Sequence, residues 1–412
     1  MSPFELSVRF FLQLAIILCA CKAVGWLVSR FGQPPVVGEM IAGVLLGPSL
    51  LGLLAPHWQA QLFPPASKPI LFSVAQVGLV LYMFVVGLEF RIDLVRDRLR
   101  SAIAISASGI LAPFLLGCLI AWWLVGRQGF FTAEVNVWQA MPYLGAAMAI
   151  TAFPMLARII VERKLTGTPV GALALASGAI DDAAAWCVLA LVLASFANDP
   201  SIALYAIGGS ILLVAFTFTL GKRLLGVIAT RGERSEADSR HMFGWLLVLL
   251  MLAAWFTDSI GIYAVFGAFV LGAAVPRGKF TEQVQSRIEP IATQLLLPLF
   301  FIYSGLNTRF DLVNEAGLWL VASVVLVAAV AGKMGACYLA ARACGESHRD
   351  GLGVGALMNA RGLMELIILN IGLERGLITP TLFTIMVLMA IVTTLMATPL
   401  FEAVYLRRPK LA

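Results

Sequence analysis

Long apolar stretches recur along the chain, similar in length and closed by short polar segments. Thirteen can be traced, at approximately 6–28, 35–54, 70–88, 101–125, 138–160, 171–196, 202–228, 241–258, 260–276, 291–306, 316–341, 351–372 and 379–405. A helix rises 1.5 Å per residue, so about 20 residues cross the ~30 Å hydrocarbon core of a bilayer. In lipid a segment must satisfy its own backbone groups, which leaves helices and closed barrels. These stretches are too long and too evenly apolar for the ~10-residue alternating strands of a barrel. The pattern predicts an all-α membrane protein of about 13 transmembrane helices. The narrowest divide, Asp258–Ser259, separates the eighth from the ninth.

Composition points the same way. Hydrophobic residues make up 60% of the 412 positions and charged residues 13%, with a mean hydropathy of +0.92. A soluble domain carries roughly 45–50% apolar and about 25% charged residues. Of the 29 lysines and arginines, 21 fall at the odd-numbered loops and the C-terminus, whereas Arg9, Lys68, Arg127, Arg309 and Arg375 lie on the other side. By the positive-inside rule this places the N-terminus outside and the C-terminus in the cytoplasm. The net charge of +6 is then topology, and no nucleic-acid partner is expected. The first stretch lacks a basic leader and a small-residue cleavage site, so it reads as a retained membrane helix. The six cysteines are scattered among apolar residues, and His57, His241 and His348 have no ligand spacing; neither a structural metal nor a cofactor is expected. The charged run TRGERSEADSRH reads as a connector between two halves.

Two stretches contain residues that interrupt a helix. The fifth holds Thr151-Ala152-Phe153-Pro154, and proline both removes a backbone donor and collides with the preceding turn. The twelfth holds Asn359-Ala360-Arg361-Gly362. Asn359 follows Thr151 by 208 residues, and the same offset carries Asp182 onto Ala390 in the last stretch. The paired stretches are seven apart, an odd number, so the halves run in opposite directions. Inverted repeats with interrupted helices near the midplane are a recurrent transporter architecture. Each interruption frees carbonyls and N–H groups whose partial charges suit an ion.

The intramembrane charges supply the chemistry. Asp181 and Asp182 lie near the middle of GALALASGAIDDAAAWCVLALVLASF, about 16 Å along the helix. One Asp at that depth costs about 2.5–3.5 kcal/mol, so a purely packing role is disfavoured. Sequence neighbours point about 100° apart on a helix, letting one carboxylate face a pathway and the other reach an adjacent helix. Lys333, roughly 12 Å from the nearer end of its stretch, is the candidate for that reach. Arg361 either orients the second interruption or joins the polar network, with Glu365 one turn on as its partner. Glu39 is a further carboxylate in an apolar stretch, and Lys22 reads as structural. Carboxylates, carbonyls and hydroxyls are hard ligands suited to Na⁺ or K⁺. Asp182 and Asp181 are the predicted sites for the transported cation, with Thr151 adding an oxygen. A carboxylate can carry a proton instead, so competition at Asp182 would couple the two ions. Cation entry that broke an Asp181–Lys333 pair would release a second proton, making the exchange electrogenic.

Six segments then carry a family resemblance: PPVVGEMIAGVLLGPSLLG at 34–52, MFVVGLEF at 83–90, TAFPMLARIIVERKL at 151–165, GAIDDAAAW at 178–186, LPLFFIYSGLNT at 297–308 and MNARGLMELIILNIG at 358–372. Taken in order, they resemble the Kef-type and plant-exchanger branch of the monovalent cation–proton antiporters, with a sodium/hydrogen exchanger-type transmembrane domain over 1–405. The resemblance implies thirteen spans with crossed interruptions in the fifth and twelfth, in a homodimer. It also implies a scaffold mainly from 1–90 and 241–306, a linking helix at 202–228 and a mobile core from 101–196 and 316–405. By the same resemblance Asp182 matches the essential ion- and proton-binding aspartate, and Asp181 and Lys333 match a pair found in electrogenic sodium exchangers. The surrounding sequence is closer to plant relatives, where potassium is frequent, so Na⁺ and K⁺ both stay open. The nucleotide-binding domain often attached to Kef-type members is not present in these 412 residues; 406–412 read as a short cytoplasmic tail. The resemblance implies elevator-like alternating access in a cell membrane, a bacterial inner membrane being the expected setting. The competing readings are a sodium-coupled organic-solute transporter of the same general fold and a cation channel. No nucleophile–base set suggests an enzyme.

Overall fold

A computed structural model describes residues 2–33, 35–89, 99–127, 129–153, 156, 159–160, 163–165, 168–196, 200–260, 264–309 and 312–406. The principal helices are α1 (Pro3–Ser29), α2 (Pro35–Leu46), α3 (Lys68–Glu89), α4 (Leu99–Leu124), α5 (Val137–Ala149), α6 (Pro169–Phe196), α7 (Pro200–Phe216), α8 (Lys222–Gly232), α9 (Glu236–Ser259), α10 (Ala264–Ala274), α11 (Lys279–Ile291), α12 (Leu297–Leu306), α13 (Ala316–Ala343), α14 (His348–Met358), α15 (Leu363–Glu374) and α16 (Pro380–Phe401). Every one of the thirteen apolar stretches contains a helix. Among the described residues nine helices are long and apolar enough to cross a membrane, and two shorter apolar ones cover Pro169–Gly178 and Ala264–Ala274. The only extended pairing among these residues is an isolated bridge between Phe131 and Ile378. The chain is an all-helical, multi-pass membrane protein.

Large apolar side chains on the outward faces follow from that solvent. Trp26 on α1, Trp122 on α4, Trp255 on α9 and Leu320 and Val327 on α13 are all exposed, as lipid rather than water would favour. Lipid tails supply no hydrophobic drive between helices, so close packing depends on small residues.

The chain divides into two compact units. The first comprises 1–20, 60–90 and 193–303. Its centre is α3 against α10, with Leu79, Met83, Phe84, Ala268 and Phe269 buried. Gly87 and Gly272 make the approach possible: a Cβ on Gly87 would lie 3.0 Å from the Gly272 Cα.

The second unit comprises 21–59, 91–192 and 304–412. Ile105, Leu156, Ile160, Leu173, Val354, Leu357, Ala397 and Phe401 form one buried cluster within it. α4 and α5 meet at Gly117, where an added Cβ would fall 2.7 Å from the Gly145 Cα. α16 runs through the interior, with residues buried along most of its length. Asp181, Lys333 and both helix interruptions belong to this unit.

Candidate ion-binding site

Two interrupted helices frame the site. α5 begins in a capping box: the Gln139 N–H donates to Asn136 Oδ1 at 3.0 Å, and the Asn136 N–H donates to Gln139 Oε1 at 3.2 Å. It stops at Ala149, after which Ile150 is extended at φ −69°, ψ 133°. Pro154 accounts for the stop from the sequence, because it has no N–H for the Ile150 carbonyl and its ring collides with a carbonyl four residues back. Pro154 lies outside the described residues. α14 starts at Ser347, whose hydroxyl accepts the Asp350 N–H at 3.0 Å, and stops at Met358. Asn359–Gly362 are not helical, and α15 resumes at Leu363 with Gly362 as its cap.

The interruptions touch. The Ala152 N–H donates to the Ala360 carbonyl at 3.1 Å, and the Thr151 hydroxyl lies 3.3 Å from the Met358 carbonyl. Ala152 and Ala360 are themselves 208 residues apart, so the residues related by the repeat offset meet in space.

A helix C-terminus leaves its last carbonyls without donors and carries about half a negative charge. Two buried cations meet the end of α5. Arg361 Nη2 donates to the Met148 carbonyl at 2.6 Å, and its Nη1 to that of Ala147 at 3.4 Å. Lys333 Nζ donates to the Ala149 carbonyl at 2.5 Å. Lys333 also lies 3.0 Å from Asp181 Oδ2, and both side chains are fully buried. The same carboxylate oxygen accepts the Thr151 N–H at 3.1 Å, an amide released by the interruption. The other oxygen, Asp181 Oδ1, has no hydrogen-bond partner among the described residues. Gly109 on α4 leaves room for the lysine stem, since a Cβ there would sit 2.7 Å from Cys337 Sγ and 3.8 Å from Lys333 Cε.

Asp182 occupies the next position of α6, but its side chain lies outside those described. Arg361 Nη1 is 3.7 Å from Glu365 Oε2, one turn along, and Glu365 is fully buried. Sequence reasoning missed Thr394 on α16. Its hydroxyl accepts the Arg361 N–H at 3.2 Å and lies 2.6 Å from the Arg361 carbonyl, so it holds the second interruption from outside. The signal available was the polar pair Thr393-Thr394 in an apolar stretch.

Paired helix interruptions around a buried carboxylate–lysine pair define a secondary transporter of ions. Residues 14–405 match the family model described as sodium/hydrogen exchanger, transmembrane, and the chain belongs to that family. It is 38% identical over 398 residues to a Na⁺/H⁺ antiporter, NhaS4, of Synechocystis sp., covering 95% of this chain and 96% of that one. It is 37% identical to cation/H⁺ antiporter 20 of Arabidopsis thaliana, over 95% of this chain and 48% of the plant protein. It is 32% identical to K⁺/H⁺ antiporter 1 of Saccharomyces cerevisiae, over 96% and 46% respectively. The chain thus spans about half the length of these plant and yeast relatives. The solved sodium proton antiporter MjNhaP1 of Methanocaldococcus jannaschii shares its fold, with a TM-score of 0.67, 97% of each chain covered and 15% identity.

Proposed function

We propose that this monovalent cation/proton antiporter binds its cation and its protons in competition at Asp181 and Asp182, with Thr151 as a further oxygen ligand and Lys333 compensating Asp181 when no cation is bound. The single observation that carries the reading is the buried Lys333–Asp181 pair set against the first interruption. Removing either partner alone strands a charge in low dielectric, so the lysine suits a group that must be released and recovered in each cycle. A cation arriving at Asp181 displaces Lys333 and frees a proton, and a second leaves Asp182. The exchange is electrogenic. A fixed stoichiometry of one cation per proton at all pH values is the result that would sink this part.

States neutralised by cation or proton cross the membrane readily, whereas an empty doubly charged site is costly there. Residues 101–196 and 316–405 form the moving core, 1–90 and 241–306 the scaffold of a homodimer, and 202–228 the link between them. The protein sits in a bacterial inner membrane with its N-terminus outside and its C-terminus in the cytoplasm. Its substrates are Na⁺ or K⁺ and protons, and it needs no cofactor and performs no enzymatic reaction. The relatives named for Na⁺/H⁺ and K⁺/H⁺ exchange support both cations as substrates.

Proton movement in sealed proteoliposomes is the test. An inside-acid gradient is challenged with Na⁺, K⁺ or Li⁺ under voltage clamp, for the native chain and Asp182→Asn. Cation-triggered proton efflux that the variant lacks is expected. No response to any of the three in folded protein would overturn the reading and favour an organic solute as the coupled substrate.

A further inference from the structure

We infer that Asn359, at the second interruption, is a ligand of the transported cation and sets which alkali cation is preferred. The inference rests on the antiport reading above and extends its site to a residue from the other half of the repeat.

Three observations carry it. The first is an asymmetry between the two half-helix ends. The C-terminal carbonyls of α5 are met by Arg361 and Lys333, which balance that negative end. At the end of α14 the Ala356 and Leu357 carbonyls accept only the backbone N–H groups of Asn359 and Ala360, and the Met358 carbonyl accepts only the Thr151 hydroxyl. Among the described residues no cationic side chain donates to them. One of two equivalent negative ends is therefore left to attract a mobile cation.

The second observation is the state of the Asn359 amide. The side chain is fully buried, yet neither Oδ1 nor Nδ2 has a hydrogen-bond partner among the described residues. Buried amides are nearly always satisfied, because stranding one forfeits its hydration for nothing. A neutral amide oxygen beside a helix C-terminus is a good alkali-cation ligand, and it adds affinity without adding charge.

The third is connectivity. Thr151 gives its amide N–H to Asp181 and its hydroxyl to the carbonyl of Met358, the residue before Asn359. The two interruptions thus join a carboxylate with one unpartnered oxygen, a hydroxyl and a backbone carbonyl in one hydrogen-bonded cluster, and the residue that follows this carbonyl carries the unpartnered amide. The carboxylate provides charge. The amide contributes a neutral oxygen whose placement discriminates by ion size.

The test is the Michaelis constant for Na⁺, K⁺ and Li⁺ in proteoliposomes, for the native chain, Asn359→Ala and Asn359→Asp. Loss of one neutral ligand raises KM for the preferred cation about fivefold in Asn359→Ala, and the ratios between cations shrink by about threefold. Asn359→Asp, nearly isosteric, adds charge at the same position; it lowers KM for all three cations and weakens discrimination. Equilibrium ²²Na⁺ and ⁸⁶Rb⁺ binding to detergent-solubilised protein follows the same order. Unchanged KM values and ratios in either folded variant, or a fall in maximal flux alone, would overturn the inference while leaving antiport intact. A native chain that moves no protons in response to any alkali cation removes both.

Discussion

Lys333→Met isolates the pair at the centre of the site. Methionine fills a similar volume, so the change removes a charge and a donor without opening a large cavity. Two partners lose it: Asp181 Oδ2, left with the Thr151 N–H alone, and the Ala149 carbonyl, left with no donor among those now seen to reach it. Breaking a buried ion pair from one side costs about 3–5 kcal/mol. An unfolding entropy near 2.1 cal/mol/K per residue over this chain makes each kcal/mol worth roughly 1.2 °C, so melting falls by about 3–6 °C. The double variant Asp181→Asn/Lys333→Met strands no charge and keeps an acceptor for Thr151. It should sit within about 2 kcal/mol of the native chain, giving a coupling energy of at least ~1–3 kcal/mol in a double-mutant cycle. Tryptophan-fluorescence melts of purified protein in one detergent read all four corners. A single variant that melts with the native chain, or a double variant as unstable as the sum of the singles, would show that the pair is not buried and coupled as described.

Other expectations follow from the same geometry. If cation and proton compete for one carboxylate, the apparent KM for the cation rises as pH falls, by up to about tenfold per unit, while flux at saturating cation changes far less; transport assayed from pH 6 to 9 measures this. Thr394→Val keeps the shape but strips Arg361 of the hydroxyl that serves its N–H and carbonyl, at a cost of about 1–3 kcal/mol; the melt shifts down and turnover falls at unchanged KM. Gly372→Ala places a methyl against the Tyr143 hydroxyl, which donates to the Ile368 carbonyl at 3.0 Å; about 1–3 kcal/mol is lost, and Tyr143→Phe in the same background recovers part of it.

Much was fixed before any folding, because the constraints involved act on single segments. A backbone that must satisfy itself in lipid forces each long apolar stretch to be a helix, and every such stretch contains one. Proline chemistry ends α5 shortly before Pro154, and the Asn-Ala-Arg-Gly run ends α14 at Met358. The expense of a charge in hydrocarbon marks Asp181, Asp182, Lys333, Arg361 and Glu365 wherever the helices go. Partner choice was a different matter. From the sequence, Arg361 either orients the second interruption or joins the polar network, with Glu365 one turn on as its partner. Glu365 Oε2 stands 3.7 Å from its Nη1, and the guanidinium also donates to Ala147 and Met148, more than 200 residues earlier. Lys333 is likewise shared between Asp181 and a helix end. Thr394, unremarked as a lone hydroxyl, holds the second interruption. Local periodicity and desolvation say that a charge needs a partner. Only the crossing of two interrupted helices, decided by glycine contacts and packing across distant parts of the chain, says which carbonyl or carboxylate that partner is.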